Sequence, residues 1–461
     1  MKHTLTRHPK RRQHGAAALI VVMLLFFLIS MVAAYTSRNL VFEQRTASNQ
    51  YRSTLALEAA EAGLEWGIAQ LNAGRVDSSC IPSTADTDLT HLSFRERHLT
   101  VDAVTGALTR RTAATSSTPV RAGCVFNGTA WDCACSTPGV AATALPAAGT
   151  ANVQPAFIVR VDQSSALAAG RPQVVEMQSN SCTRRDDDSL VTGTCLNFTS
   201  LRGGTGDGVA SVRALVTLRG AFTTTPGAAL TLGGSLSALP LGTTLTLQNT
   251  DAASNGVTLH TAGAASGLPT TGLLRVGLPG VSPANSTVAA DATLTPAAQG
   301  GFSENDRRFA LFFGMRPATY ERQPGLPTLD CTAGCSAAAI NTRLLRNPGR
   351  PIWLLGAGTV TIDENVGSST TPALLIVDGD LVFSSSATVT GMIYQRDVDN
   401  SGSSWSLSGN TAVQGAVVVE GNLTITGTSA GLAVNYNPAL LRQLRVSYGT
   451  YVRVPGGWRD F

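Results

Sequence analysis

The sequence predicts an α+β protein. One long N-terminal α-helix, membrane-spanning and then amphipathic, leads into a small α/β region and a C-terminal, mainly β domain resembling a right-handed solenoid. Three observations predict it. Ala16 to Tyr35 is a run of twenty residues in which Ser30 is the only polar member before the terminal Tyr. Helix-favouring sequence continues past that run to Asn72 without a proline. Beyond about Val212, short β-prone segments recur between Gly, Asn and Asp, and two of them repeat at a shift of 42 residues.

The helix is justified in two halves. About twenty apolar residues at 1.5 Å rise match the ~30 Å hydrocarbon core of a bilayer. Before them stand Lys2, Arg7, Lys10, Arg11 and Arg12 with no acidic residue, a flank that stays cytoplasmic and places the remainder outside. A secretory signal is the plainer alternative, but its apolar region is only ~7–15 residues and ends in small-residue cleavage signals. In the second half, Tyr51, Leu55, Ala59, Ala62 and Trp66 fall at helical spacing, as do Leu57, Ala60, Leu64, Ile68 and Leu71. Glu58, Glu61 and Glu65 form a separate acidic stripe, and Gly74 suits a C-terminal stop. One helix over 16–72 would be roughly 85 Å long.

A basic leader ending in Gly, then Gly15-Ala16-Ala17-Ala18-Leu19-Ile20-Val21-Val22 and the later Leu57-Glu58-Ala59-Ala60-Glu61-Ala62-Gly63-Leu64-Glu65, resembles the type IV prepilin family, in particular its PilX-type minor pilins. The resemblance covers about the first 75 residues. It implies a leader over 1–15, removed by a prepilin peptidase between Gly15 and Ala16, with methylation of Ala16. It implies a pilin-like α/β region over 73–205 packed on the outer half of the helix. Most pilins carry Glu at the fifth mature position; here Ile20 stands there. An unpaired carboxylate is costly in lipid, and its absence suits a tip or initiating subunit with no neighbour above it. The alternative is that Ile20 marks an ordinary membrane anchor. The resemblance further implies partners: other minor pilins and the major pilin through the helix, the inner membrane, and a PilY-type tip adhesin.

Charge adds an exclusion. Of 34 basic residues five precede Gly15, leaving 29 against 30 acidic ones in the mature chain. The overall +4 belongs to the leader, which argues against a nucleic-acid partner. Eight cysteines all follow the apolar run, and outside the cytoplasm an even number reads as disulfides. Cys182–Cys195 and Cys331–Cys335 are the local pairs expected; the other connectivities stay open. Zinc is the rival use of Cys133, Cys135, Cys331 and Cys335, although no His lies near them.

The β region divides by composition. A first part of the solenoid is expected over 206–262, a loop and helix insertion over 263–350, and a second part with a C-terminal tail over 351–461. Ile376-Val-Asp-Gly-Asp-Leu-Val-Phe383 matches Val418-Val-Glu-Gly-Asn-Leu-Thr-Ile425, and Gly356 precedes Gly379 by 23. A period near 21–23 suggests one coil per repeat, with 42 as two; a β-sandwich of hairpins is the competing architecture. Within the insertion, Arg307 to Gly314 reads as a short helix whose Phe309, Phe312 and Phe313 cover an end or flank.

Catalytic signals are weak. Gly427-Thr-Ser429-Ala-Gly431 fits G-x-S-x-G, but no His follows His260, as the hydrolase order requires. Asp397, Asp399 and Ser401 begin like a calcium loop, yet the twelfth position is Ser408, where a bidentate Glu is expected. No cofactor, resident metal or enzymatic activity is expected. Two further classes stay open: a K-like minor pseudopilin of a type II secretion system, and a membrane-anchored β-helix protein that binds or acts on carbohydrate. The second requires a cluster of carboxylates or Arg in a groove.

Overall fold

The computed structural model describes residues 14–83, 91–114, 119–136, 145–146, 153–163, 170–184 and 208–459. The chain opens with α1 (His14–Leu71), α2 (Phe94–His98) and a hairpin of β1 (Leu99–Val101) and β2 (Leu108–Arg110). Then come β3 (Arg121–Phe126), β4 (Trp131–Cys135), β5 (Gln154–Asp162), β6 (Val174–Arg184) and β7 (Val209–Gly220). Short strands β8 (Leu230–Leu232), β9 (Thr244–Gln248), β10 (Leu259–Thr261), β11 (Leu273–Val276) and β12 (Thr287–Val288) lead to α3 (Glu304–Phe313) and α4 (Pro317–Glu321). A second series runs through β13 (Thr328–Asp330), β14 (Cys335–Ser336), α5 (Ala337–Arg346), β15 (Ile352–Leu355), β16 (Val360–Ile362), β17 (Ala373–Val377), β18 (Leu381–Phe383) and β19 (Thr388–Gln395). It continues with β20 (Ser403–Leu407), β21 (Asn410–Val419), β22 (Leu423–Gly427), β23 (Gly431–Tyr436), α6 (Pro438–Ser447) and β24 (Gly449–Arg459). The class is the α+β that the sequence predicts.

Two β systems result. The first is a six-stranded antiparallel sheet in the order β24-β7-β6-β5-β3-β4. One of its faces receives the second half of α1, burying Ala60, Leu64 and Leu71 against Phe157, Val159, Met177, Val212 and Ala214. Gly63 sets the approach distance: a Cβ there would lie 2.4 Å from Ser179 Oγ and 2.6 Å from the Phe157 ring. A mid-helix glycine costs roughly 0.5–1 kcal/mol relative to alanine, and here it admits the sheet.

The second system is a coil of parallel strands. From β13 to β23, successive strands alternate between one sheet ordered β13-β15-β17-β19-β21-β23 and another ordered β14-β16-β18-β20-β22. Hairpins of a sandwich would pair antiparallel; every pairing in these sheets is parallel. Ile376 pairs with Tyr394 and Tyr394 with Val418, so the 42-residue repeat spans two rungs of unequal length, 18 and 24 residues.

The β8–β12 series joins the far end of this stack. β21 pairs β8 and β23 pairs β9, although the partners are some 190 residues apart in sequence. A single apolar column then runs through Ile352, Leu375, Ile393, Val417, Leu230 and Leu259, all buried. It ends on Thr287. A second column, Val389, Val413, Val434 and Leu247, ends on Arg275. Arg275 Nη1 donates to Thr287 Oγ1 at 2.6 Å, so polar side chains close both columns at the last rung. Inward charge is one way that sheets stop adding strands. At the opposite end α5 buries Ala337 and Ile340 into the core.

These pairings revise the expected boundaries. β7, placed by sequence in the first part of the solenoid at 206–262, belongs to the antiparallel sheet, as does β24 from the tail of 351–461. Their alternating residues fit either environment, and only long-range pairing decides. β10 to β12 carry the coil on to Val288 and β13 reopens it at Thr328, so the connection between the two series is shorter than the expected 263–350. Strands of two to four residues leave too brief a pattern to read. Within that connection α3 buries Phe309, Phe312 and Phe313 against Trp353, Ile376, Met392 and Tyr394 on the coil flank. This second cover explains why β17 is buried on both faces, as its unbroken Ala-Leu-Leu-Ile-Val run requires.

Candidate functional site

The sequence directs attention first to the start of α1. Gly15 and Ala16 lie inside the helix, which begins at His14; residues 1–13 of the expected leader lie outside the described residues. Ile20 is 59 % exposed, and its neighbours Leu19, Val21 and Val22 are equally open. This half of α1 has the length and composition to cross a membrane: its most apolar window has mean hydropathy 2.9 and none of it is buried. Ala33 and Ala34, the small residues that would let helices approach in lipid, are exposed.

The second half of α1 is held differently. Its buried face is Ala56, Ala59, Ala60, Gly63, Leu64, Gly67 and Leu71, whereas Leu57 and Ala62, assigned by periodicity to the apolar stripes, are exposed. Ser181 Oγ donates to the Ala56 carbonyl. The C-terminal carbonyls of α1 are met by two guanidinium groups. Arg95 Nε donates to Leu71 O at 3.0 Å, and Arg350 Nη1 donates to Asn72 O. Cations at this end oppose the helix dipole. Burial lowers both guanidinium pKa values, and for Arg350 the nearby Arg95 adds to the effect. Arg95 also donates to Gly349 O at 3.0 Å and Gly449 O at 3.1 Å, and Asn72 exchanges two 2.8 Å bonds with the Tyr451 backbone. Helix, sheet and coil therefore meet at one buried polar joint. No motif marks Asn72, Arg95 or Arg350; their role follows from carbonyls left over at a helix end.

Three disulfides are described: Cys80–Cys135, Cys124–Cys133 and Cys331–Cys335. Cys182 is disulfide-bonded, while Cys195, its sequence-assigned mate, lies outside the described residues. Cys133 and Cys135 bond different partners and are not available as paired thiolates. Cys331–Cys335 closes the turn between β13 and β14, at the α5 end of the coil.

The calcium-like loop is satisfied from within. Asp399 Oδ1 accepts from the Ser401 N–H at 3.1 Å and hydroxyl at 2.7 Å, and Asp397 Oδ1 accepts from the Gly402 N–H at 3.0 Å. Among the described residues no group of three or more His, Cys, Asp or Glu side chains is gathered to hold a metal. The loop lines a cavity of about 180 Å³ with Asp378, Asp380 and Arg396. These carboxylates also have structural work: Asp378 accepts from Trp353 Nε1 at 3.0 Å and Arg396 Nη1 at 3.2 Å, and Asp380 from the Ser404 N–H at 2.8 Å.

Beneath it lies Glu420, fully buried. Its Oε1 accepts from Tyr394 Oη at 2.9 Å and its Oε2 from the Asp397 N–H at 3.0 Å. Loss of water pushes the carboxyl up to about 7, with Arg396 opposing. Its backbone carbonyl accepts from Arg308 of α3, so the network fastens α3 to the coil. Glu420 belongs to the aligned repeat and Tyr394 to the rung between its two copies, but nothing in that alignment signals a buried carboxylate.

Residues 14–65 match the PilX N-terminal family model. The structure of the competence-associated pilin ComZ from Thermus thermophilus aligns over 89% of this chain and 97% of its own at 12% identity. Its TM-score of 0.20 lies below what marks a shared fold. No curated protein sequence matches the chain.

Proposed function

We propose that this chain, whose N-terminal region is PilX-type and type IV minor pilin-like, is a minor pilin of a type IV pilus. It enters the inner membrane with its outer domains periplasmic, loses residues 1–15 to a prepilin peptidase, and joins other minor pilins in a complex that primes assembly. It then sits at the pilus tip, where the coil, read as a β-solenoid, presents an adhesive or adaptor surface, with a PilY-type adhesin as one partner. The function is placement and contact, with no catalytic step.

The observation that carries this reading is the division of α1. One continuous helix is wholly exposed and apolar over its first half and docked through a glycine-lined face over its second. Exposed apolar surface of that size needs lipid first and other helices afterwards. Ile20 supports the tip position, because a terminal subunit has no neighbouring amino group for a carboxylate to pair with. A K-like pseudopilin shares these features and differs in the machine it serves.

The test is made on full-length protein in its own cells. N-terminal mass analysis of membrane-extracted protein should begin at Ala16, methylated. Deletion of the gene should sharply reduce surface pili per cell. A mature terminus beyond residue 35 would end the pilin reading; undiminished pili with impaired protein secretion would transfer the subunit to a secretion pseudopilus.

A further inference from the structure

We propose that a cavity between the β1–β2 hairpin, α6 and the coil is a binding site for a neutral sugar unit. It encloses about 430 Å³, within the range of clefts that hold small ligands. Its lining comes from segments far apart in sequence: α2 and the hairpin, the connection at Gly349, the coil turn at Thr370 and Thr371, the end of α6, and the start of β24. The hairpin leans on α6, where a Cβ at Gly106 would lie 3.1 Å from the Val446 side chain. One unspent group stands out. Tyr451 lines the cavity, is only 2 % exposed, and its Oη has no hydrogen-bond partner among the described residues. Buried hydroxyls ordinarily find one. Tyr448, which also lines the cavity, does so by donating to Pro372 O at 2.6 Å.

Charge and chemistry select the ligand class. Arg95 is spent on the Leu71, Gly349 and Gly449 carbonyls, so it offers an anion no free fork. α6 presents its C-terminal turn at Ser447, the end of a helix that disfavours negative charge. A cationic ligand would meet Arg95 and Arg111. A neutral ligand that both donates and accepts fits what remains. Glu96 holds Ser93 through Oε2, which leaves Oε1 as an acceptor. Gln443 donates from Nε2 to Thr370 O at 3.4 Å, which leaves its Oε1. Leu99 and Val101 add apolar lining. Sugar hydroxyls donate to carboxylate and amide oxygens and accept from a phenol, and the ring C–H groups suit the apolar lining. A flat aromatic ligand needs an open ring to stack on, but Arg95 lies over the Tyr451 ring at 5.0 Å. A peptide added as a strand is held by main-chain bonds along a sheet edge; the groups offered here are side chains. The inference deepens the adhesive reading above and rests on it only in that these domains lie outside the cytoplasm.

The test uses full-length protein extracted from its own cells in a detergent without a sugar headgroup. The probe is a printed array of short neutral glycans, with uronate-containing glycans and short peptides printed beside them. At least one neutral glycan should bind, more tightly than any uronate or peptide. Calorimetric titration with that glycan then tests the cavity. Tyr451→Phe removes one oxygen and should weaken binding about tenfold, the scale of one hydrogen bond. Its thermal midpoint should not fall, because that oxygen bonds nothing in the protein. Ala103→Trp introduces bulk from an exposed hairpin position that lines the cavity. It should abolish binding while leaving the buried core untouched. Thr424→Ala, on the exposed surface of the coil, should leave the affinity unchanged. No neutral glycan bound, tighter binding of uronates or peptides, or full affinity in both cavity variants would overturn the proposal. The N-terminus measured in the same extracts separates the two readings. Processing at Ala16 without glycan binding removes this inference and leaves the pilin reading standing; glycan binding by a chain cut beyond residue 35 does the reverse.

Discussion

The antiparallel sheet and the parallel coil solve the same problem by different means. The sheet has one face on α1 and is cross-linked by Cys80–Cys135 and Cys124–Cys133. The coil is far larger, carries the single described bridge Cys331–Cys335 at one end, and coheres through apolar columns continuous from rung to rung. A rung buries its side chains only against the rungs above and below it. The difference teaches that the sheet's bridges fix its edge strand β4 and the segment before it, whereas rungs that stack in register cohere through their apolar columns.

The sharpest way to break this contrast is to empty one rung. Trp405 is fully buried, rests edge-on against Phe383, and donates from Nε1 to Gln395. Trp405→Ala should cost about 3–5 kcal/mol and loosen the neighbouring rungs with it. Hydrogen exchange should then show lost protection in β18 to β22 with β5 and β6 retained. Equal loss in both would mean that coil and sheet unfold as one unit.

Removing cross-links probes the other side. Cys80 and Cys135 are 55 residues apart and Cys331 and Cys335 only 4. On chain-entropy grounds, Cys80→Ser with Cys135→Ser should cost about 4 kcal/mol, and Cys331→Ser with Cys335→Ser about 2 kcal/mol. Denaturant unfolding of the two double variants should rank them in that order. A reversed ranking would show that the coil depends on its terminal clasp.

The smallest effect is set by pH, because two buried groups act in opposite directions. His98 stacks on Phe94 at the edge of the α1–sheet core, and burial lowers its pKa from 6.5 to about 4. The folded state then binds fewer protons than the unfolded one, so its contribution is complete above 6.5 and is lost as pH falls toward 4. Glu420 in the coil is raised from 4.5 to about 7. Its folded state holds the proton longer, so its contribution is complete below 4.5 and is lost as pH rises toward 7. Moving from pH 7.5 to pH 5 should weaken exchange protection in β5 and β6 and strengthen it in β19 and β21, after correction for intrinsic rates. A shift of the same sign in both regions would contradict this assignment.

What could be read from the sequence divides along the same line. The apolar run from Ala16, the helix through Leu71 and the repeat joining Ile376 to Val418 are local patterns, each carried by neighbouring residues. The pairing of β24 with β7, the meeting of β8 with β21 and the Cys80–Cys135 bridge join distant segments. No local pattern encodes them. Even the docked face of α1 was blurred: Leu57 has the apolar character, but Ala56, Gly63 and Gly67 take the buried positions because the sheet comes too close for larger side chains. The joint of Asn72, Arg95 and Arg350 was illegible for a related reason. Each residue is unremarkable until the end of a helix needs donors.

One feature of the topology has a mechanical consequence. The chain departs from the sheet after Gly220 and returns at Gly449, and these two residues face each other in the β7–β24 ladder. Everything between them is a sidearm sprung from two adjacent backbone positions. Tension drawn along α1 reaches the sheet through the Ala56–Leu71 interface and can leave it through the same helix. No covalent load path runs through the coil. Traction applied to the coil therefore reaches the rest of the chain through the β7–β24 ladder and through the joint of Asn72, Arg95 and Arg350 at the end of the helix.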